Sequence, residues 1–315
     1  MSQSKGYTWI IGDVHGMYDH LNTLLSQIDN EETKKFIFLG DLIDRGPSSL
    51  EVVKKVMSLK KETIYLMGNH EHMMLDELNS GKKTVSLPKF LWEFNGGNKT
   101  INSFGCHDIK DFTEKYSEEY SEFFDKMKIV HTEKITYKEK EIGFIFAHAG
   151  IYPFTPLATQ LSFKNYDDFN DFYIKEENDH SNSPVWVRNS FFDANPEFWK
   201  GNIIVHGHTP TQKMQYFCTL PPEEKEDLFS KINPDFYISS LPFFRKHQET
   251  KRIASINLDT GVAYGGRLTA MGISEENIIE NEDGTFLTLE IIQIDASSGF
   301  SSDKSLRFFE YNIEL

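Results

Sequence analysis

Six side chains able to bind a divalent metal stand just past the ends of apolar runs. In order, and with a hyphen closing each run, the chain reads "YTWII-GDVHG", "KFIFL-GDLIDRG", "TIYLM-GNHE", "GFIFA-HAG" and "NIIV-HGHTP". The side chains are those of Asp13, His15, Asp41, Asn69, His148 and His208. Asp13 and His15 are two residues apart, and residues i and i+2 of an extended segment point the same way. A carboxylate and an imidazole can therefore aim at one spot. The set holds oxygen and imidazole donors and no thiolate, which suits Mn²⁺, Fe²⁺ or Zn²⁺. It exceeds what one catalytic ion takes, because a catalytic site keeps a position open. Two ions sharing one carboxylate fit better, and Asp41 is placed to bridge them.

Residues spread from position 13 to 208 meet only if their elements converge. "YTWII" (7–11), "KFIFL" (35–39) and "TIYLM" (63–67) read as strands. Between them, "DHLNTLLSQI" carries Leu21, Leu24, Leu25 and Ile28, the apolar stripe of an amphipathic helix, and "SLEVVKKVMSL" turns Val52, Val53 and Val56 inward. Strands joined through helices pair largely in parallel. In open sheets of this kind ligands bind outside the carboxyl ends of the strands, where the donors stand. Residues 85–128 read as mostly helical, with Phe112, Tyr116, Tyr120, Phe123 and Phe124 as a core stripe. "KITYKEKEIGFIFAH" reads as a hairpin around its charged "KEKE", "NIIV" (202–205) as a strand, Asp283-Gly284 as the turn of a second hairpin, and "LRFFEYNIEL" as a last strand. No repeat or low-complexity linker divides the chain. One domain over 1–315 is expected, with a motif core at about 7–271 and C-terminal strands at about 272–315.

The composition narrows the partners. The 315 residues, 39% of them hydrophobic, are enough to bury a sizeable core. No apolar run approaches the roughly 18 residues that cross a bilayer, and the start "MSQSKGY" is not a secretory signal. Cys106 and Cys218, without CxxC spacing, read as free thiols of a reducing cytoplasm. A net charge of −15 with no Lys/Arg-rich stripe argues against nucleic acid. A phosphorylated protein or a small phosphorylated substrate remains, and would need local positive charge of the kind metal ions supply.

The five ordered blocks resemble the metallophosphoesterase superfamily. More narrowly they are similar to phosphoprotein phosphatases in their bacterial and phage form, close to symmetrical dinucleoside tetraphosphatases. The likeness runs from about 7 to 271 and includes "LWEFNGGNKT" (91–100), "VWVR" (185–188) and "NLDTGVAYGGRLTA" (257–270). It implies a four-layer α/β fold, a central β-sandwich of mixed sheets flanked by helices. It also implies a two-metal centre, with Asp13, His15 and Asp41 on the first ion and Asp41, Asn69, His148 and His208 on the second. Mn²⁺ is the expected metal, with Fe or Zn as alternatives. Water between such ions is acidified and aimed in line at phosphorus. Arg45 and Arg188, with Asn69, would bind the substrate phosphate, a task that suits arginine's planar fork. His70 would be the general acid and Asp44 would orient its ring. Asp259 and Tyr264 read as structural or as bordering the pocket, and His206, beside the ligand histidine, as a structural residue or a support for that ligand. His20, His72, His107, His131, His180 and His247 match no motif and read as surface or packing residues.

Two departures refine the expectation. Pro210 stands where nuclease and cyclic-nucleotide branches carry a second histidine, which with Arg45 favours monoester or phosphoanhydride substrates. A segment like SAPNYC is absent, so eukaryotic regulatory subunits are not expected. The first reading is hydrolysis of phosphoserine and phosphothreonine, with phosphotyrosine as an extension, on the strength of "GNHE" and "NGG…T". The alternative is a dinucleoside tetraphosphate hydrolase. A non-catalytic phosphate-binding protein is disfavoured by the intact His70, Asp44 and Arg45. Residues 211–256 form an inserted segment with "LPPEEKEDLF" and "INPDFYISSLPFFRKH". It reads as an irregular excursion carrying Phe236, Tyr237, Phe243 and Phe244, serving as a lid on the groove or as a flap on the sheet.

Overall fold

The first three apolar runs form β1 (Tyr7–Ile11), β2 (Thr33–Phe38) and β3 (Glu62–Tyr65), paired in parallel. In β1 and β2 the runs are unbroken because both faces are covered. Ile10 and Ile37 enter one core, while Trp9, Ile11, Phe36 and Phe38 enter another. The crossovers α1 (Tyr18–Ile28) and α2 (Ser49–Met57) bury Leu21, Leu24, Leu25, Ile28, Val52, Val53 and Val56 in that second core, and α3 (Asn69–Leu78) follows β3. The computed structural model describes residues 6–79, 87–88, 90–116, 118–175, 179–216, 241–247, 250–282, 284–295 and 306–314.

A second sheet is built from β4 (Val130–Tyr137), β5 (Lys140–Ala147), β6 (Ile203–His206), β7 (Phe243–Lys246) and β8 (Ile253–Asn257), in the order β4-β5-β6-β8-β7. β5, β6 and β8 are parallel, and the edge strands β4 and β7 are antiparallel. The chain then returns to the first sheet through β9 (Arg267–Ile273), β10 (Ile278–Asn281), β11 (Gly284–Asp295) and β12 (Leu306–Glu314). β9 pairs antiparallel with β1 and β11, and β11 also carries β10 and β12. The sheets face each other over Ile10, Ile37, Leu39, Phe144, Phe146, Val205, Ile256, Met271 and Leu289.

This is the expected sandwich of two mixed sheets flanked by helices. The parallel pairing expected between helix-linked strands holds for β1–β3 and also joins β5, β6 and β8, and the expected C-terminal hairpin is the antiparallel pair β10 and β11. β7, β8 and β9 are strands that the periodicity did not single out. Their partners lie far off in sequence, so tertiary context decides them. Residues 90–125 are helical in short pieces, Glu93–Gly97, α4 (Asn98–Ser103), Ile109–Lys115 and Glu118–Asp125, with Phe112 and Phe124 buried.

The described ends of the inserted segment are regular. After a 3-10 turn at Thr211–Tyr216, β7 places Phe243 in the core and stacks Phe244 on Tyr311 of β12, ring centroids 4.0 Å apart. This end is therefore sheet rather than irregular chain. Phe236 and Tyr237 of the expected lid lie outside the described residues, as do Cys218 and Asp283. Among the described residues no helix is long and apolar enough to cross a membrane.

Candidate active site

The donors stand on strand ends that turn sharply. His15, Asp41, Asp44, Arg45 and His208 have φ of 48°, 51°, 71°, 65° and 68°. Such values are uncommon for residues with a Cβ and persist only where the surroundings impose them. The turn after β2 is imposed by Glu71. Its carboxylate accepts the backbone N–H groups of Asp41 (2.8 Å), Leu42 (2.8 Å), Ile43 (3.3 Å) and Gly68 (2.9 Å). Burial and the adjacent Asp41 push that carboxyl up to about 8, against the pull of these N–H groups. The loops also meet backbone to backbone. A Cβ on Gly40 would lie 2.5 Å from the Gly68 nitrogen, and one on Gly68 would lie 2.1 Å from Asp41 Oδ1. Glycine is required at both places by this approach.

Asp41 stands between two groups of nitrogen donors. Its Oδ2 is 3.4 Å from His15 Nε2 and 3.9 Å from His70 Nε2, and its Oδ1 is 3.4 Å from His148 Nε2. On the Oδ1 side, Asn69 Oδ1 lies 3.1 Å from His148 Nε2 and 2.7 Å from His208 Nδ1. Two metal-competent groups result, His15–Asp41–His70 and Asp41–His148–His208. The ring tautomers are fixed from outside. His15 Nδ1–H donates to the Ile43 carbonyl and His148 Nδ1–H to the Leu39 carbonyl, both at 2.9 Å, and His208 Nε2–H donates to the Trp186 carbonyl at 3.2 Å. Each ring is left with a lone pair turned inward. His148 Nε2, His208 Nδ1 and Asn69 Oδ1 are then acceptors packed together without a proton, an arrangement that a cation fits. Burial holds His15, His148 and His208 below the ordinary histidine range and so keeps these lone pairs available. Burial would raise Asp41, but His148, His70 and His15 outweigh it and keep its carboxyl low.

Asp13 lies beside these groups. Its carboxylate accepts the His208 backbone N–H at 3.1 and 3.2 Å, and burial, then Asp259 and Asp41, drive it upward. Nothing in the residue spacing groups His70 with His15 and Asp41, whereas in the structure the three come together.

His70 is held by Asp44. Its Nδ1–H donates to Asp44 Oδ2 at 2.7 Å, while its Nε2 has no hydrogen-bond partner among the described residues. Asp44 also accepts from Trp92 Nε1 (2.9 Å to Oδ2) and Thr100 Oγ1 (2.6 Å to Oδ1). Trp92 and Thr100 belong to "LWEFNGGNKT", where the resemblance marked a segment but the residue types announced no task.

The Arg45 guanidinium touches His15 Nε2 and lies 5.2 Å from the centre of the Tyr264 ring. Arg188, which precedes the short helix Asn189–Phe192, is lowered by burial and acts electrostatically on Asp41, Arg45 and Asp259. Asp259 and Tyr264 stand against the cluster, the pocket-bordering alternative of the sequence reading. Asp259 is buried and raised to about 6, mainly by that burial. His206 packs against Phe191 and Phe192 and is lowered to about 3 by burial. His72 and His180 are buried packing residues, and His72 Nδ1 accepts from Trp186 Nε1 at 2.9 Å.

A calcineurin-like phosphoesterase family model matches residues 7–240. The chain belongs to that family. The match spans every donor described above, and the groups meeting at Asp41 suit a metal-dependent phosphoesterase. Curated relatives are similar along most of their length. A symmetrical bis(5'-nucleosyl)-tetraphosphatase of Pasteurella multocida is 25% identical over 84% of this chain and 92% of its own. The asymmetrical bis(5'-nucleosyl)-tetraphosphatase PrpE of Oceanobacillus iheyensis is 25% identical over 86% of this chain and 90% of its own. Among solved structures, a serine/threonine phosphatase from Saccharomyces cerevisiae is 15% identical, covering 100% of this chain and 81% of its own, with a TM-score of 0.45.

Proposed function

We propose that this calcineurin-like phosphoesterase hydrolyses dinucleoside tetraphosphates at a two-metal centre. The observation that carries the centre is Asp41, whose two oxygens face separate imidazole groups. Asp13, His15 and Asp41 would hold one ion, and Asp41, Asn69, His148 and His208 the other, with Mn²⁺ expected. Two such ions supply an acidified water and neutralise charge on the reacting phosphate. Arg45 and Arg188, with Asn69, bind its oxygens. His70, its Nδ1–H held by Asp44, presents a proton at Nε2 to the leaving oxygen. The free thiol of Cys106 fits a cytoplasmic enzyme.

The substrate class leans on the relatives, both tetraphosphatases by name. The motifs that favoured a protein phosphatase lose that weight. In "GNHE", Glu71 clamps the Asp41 turn, and in "NGG…T", Thr100 holds Asp44. Ester and anhydride cleavage both need these tasks. Phosphoserine and phosphothreonine hydrolysis is the second reading, favoured because His70 can protonate an ester oxygen equally well. Parallel assays with Mn²⁺ on diadenosine tetraphosphate and on a phosphoserine peptide decide between them. The dinucleotide is expected to show the higher kcat/KM, and a clear preference for the peptide overturns the choice.

A further inference from the structure

Tyr264 is half exposed, and it gathers two cations. The Arg45 guanidinium carbon is 5.2 Å from its ring centroid, and the Lys213 ammonium is 3.9 Å away. Arg45 faces inward, touching His15. Lys213 is exposed on the 3-10 turn Thr211–Tyr216, directly after the "GHTP" block. That turn is fastened to the loop that carries Tyr264. Thr211 N–H donates to the Asp259 carbonyl at 2.9 Å, and Gln212 Nε2 donates to the Thr260 carbonyl at 3.1 Å. The fastening leaves no room for a side chain at Gly261 or Gly266, where a Cβ would lie 2.7 Å from the Gln212 amide. The backbone that carries Lys213 is therefore fixed against the Tyr264 loop, and the ring is the contact of its side chain.

Two cations drawn to one ring repel each other, and a polyanion reaching both relieves that repulsion. In a chain of net charge −15 with Asp13, Asp41, Asp44 and Asp259 buried here, such outward positive charge is scarce. We infer that Lys213, held on the Tyr264 ring, forms a subsite for a phosphate group beyond the one bound by Arg45. This subsite binds polyphosphate chains in preference to single phosphates. It rests on the proposed phosphoanhydride reading and adds the residue that distinguishes such substrates from monoesters.

The test uses the Mn²⁺-loaded enzyme with inorganic tripolyphosphate and orthophosphate as competitive inhibitors of p-nitrophenyl phosphate hydrolysis. Lys213→Ala should weaken inhibition by tripolyphosphate about tenfold, the scale of one lost hydrogen bond to a charged group. Inhibition by orthophosphate should change less than twofold. Lys213→Glu should weaken tripolyphosphate further, and Tyr264→Phe, which keeps the ring, should resemble the parent. Equal weakening of both inhibitors, or of neither, overturns the subsite. Turnover of diadenosine tetraphosphate by the parent is measured alongside. If it is absent while tripolyphosphate inhibition still depends on Lys213, the subsite stands and the substrate reading falls.

Discussion

At the scale of single residues, His70 and the metal donors are separable. All are buried, and His70 stands within metal distance of His15 and Asp41. What sets it apart is Asp44, which occupies its Nδ1 and is itself saturated by Trp92 and Thr100. A ring anchored in this way has its proton-bearing geometry set before substrate arrives. His70→Ala is expected to keep near-normal metal content while kcat on a phosphoserine peptide falls by roughly 10²–10⁴, the usual range for lost general acid catalysis. The loss should shrink with p-nitrophenyl phosphate, whose leaving group needs little protonation. Metal analysis beside kinetics on both substrates checks this. A large loss of bound metal would make His70 a ligand.

At the scale of elements, the turn between β2 and α2 is held by the start of α3. Glu71 reaches back from α3 to the N–H groups of Asp41, Leu42 and Ile43 and so keeps Asp41 at its positive φ. Glu71→Gln preserves the volume but turns an amide N–H₂ toward N–H groups that need an acceptor. Buried donors left unmatched cost about 1–3 kcal/mol. The variant should lose that much unfolding free energy and bind Mn²⁺ more weakly, as urea denaturation and metal titration can show. Unchanged stability and metal affinity would mean that the turn holds its shape without the clamp.

Across the whole molecule, the two sheets deliver donors to one edge from opposite sides of the sandwich. Asp13, His15, Asp41 and Asn69 follow β1, β2 and β3, whereas His148 and His208 follow β5 and β6. Ions bound between them would tie the sheets together and neutralise carboxylates crowded in a buried space. A ligand of the folded state alone stabilises it by about 2.7 kcal/mol at a hundredfold excess over its Kd. Chelation is therefore expected to abolish turnover and lower Tm together, and Mn²⁺ to restore both. Asp41→Asn should lose the metal-dependent rise in Tm, a measurement made by thermal scans with and without Mn²⁺. Full activity after complete metal removal would sink the two-metal reading.

The donors were legible in the sequence because chemistry and position coincide there. Each is an unusual residue type placed directly after an apolar run, and covalent neighbourhood carries that information without any fold. The same holds for β1, β2, α1 and α2, whose apolar patterns are local. What the tertiary structure alone decided are contacts between distant residues whose types are commonplace. Trp92 and Thr100 reach Asp44 across 48 and 56 positions, the Trp186 carbonyl meets His208 across 22, and β9 slots between β1 and β11. A tryptophan, a threonine or a carbonyl announces nothing by itself. Only packing brings it to the atom it orients, because burial leaves that polar atom no water to pair with.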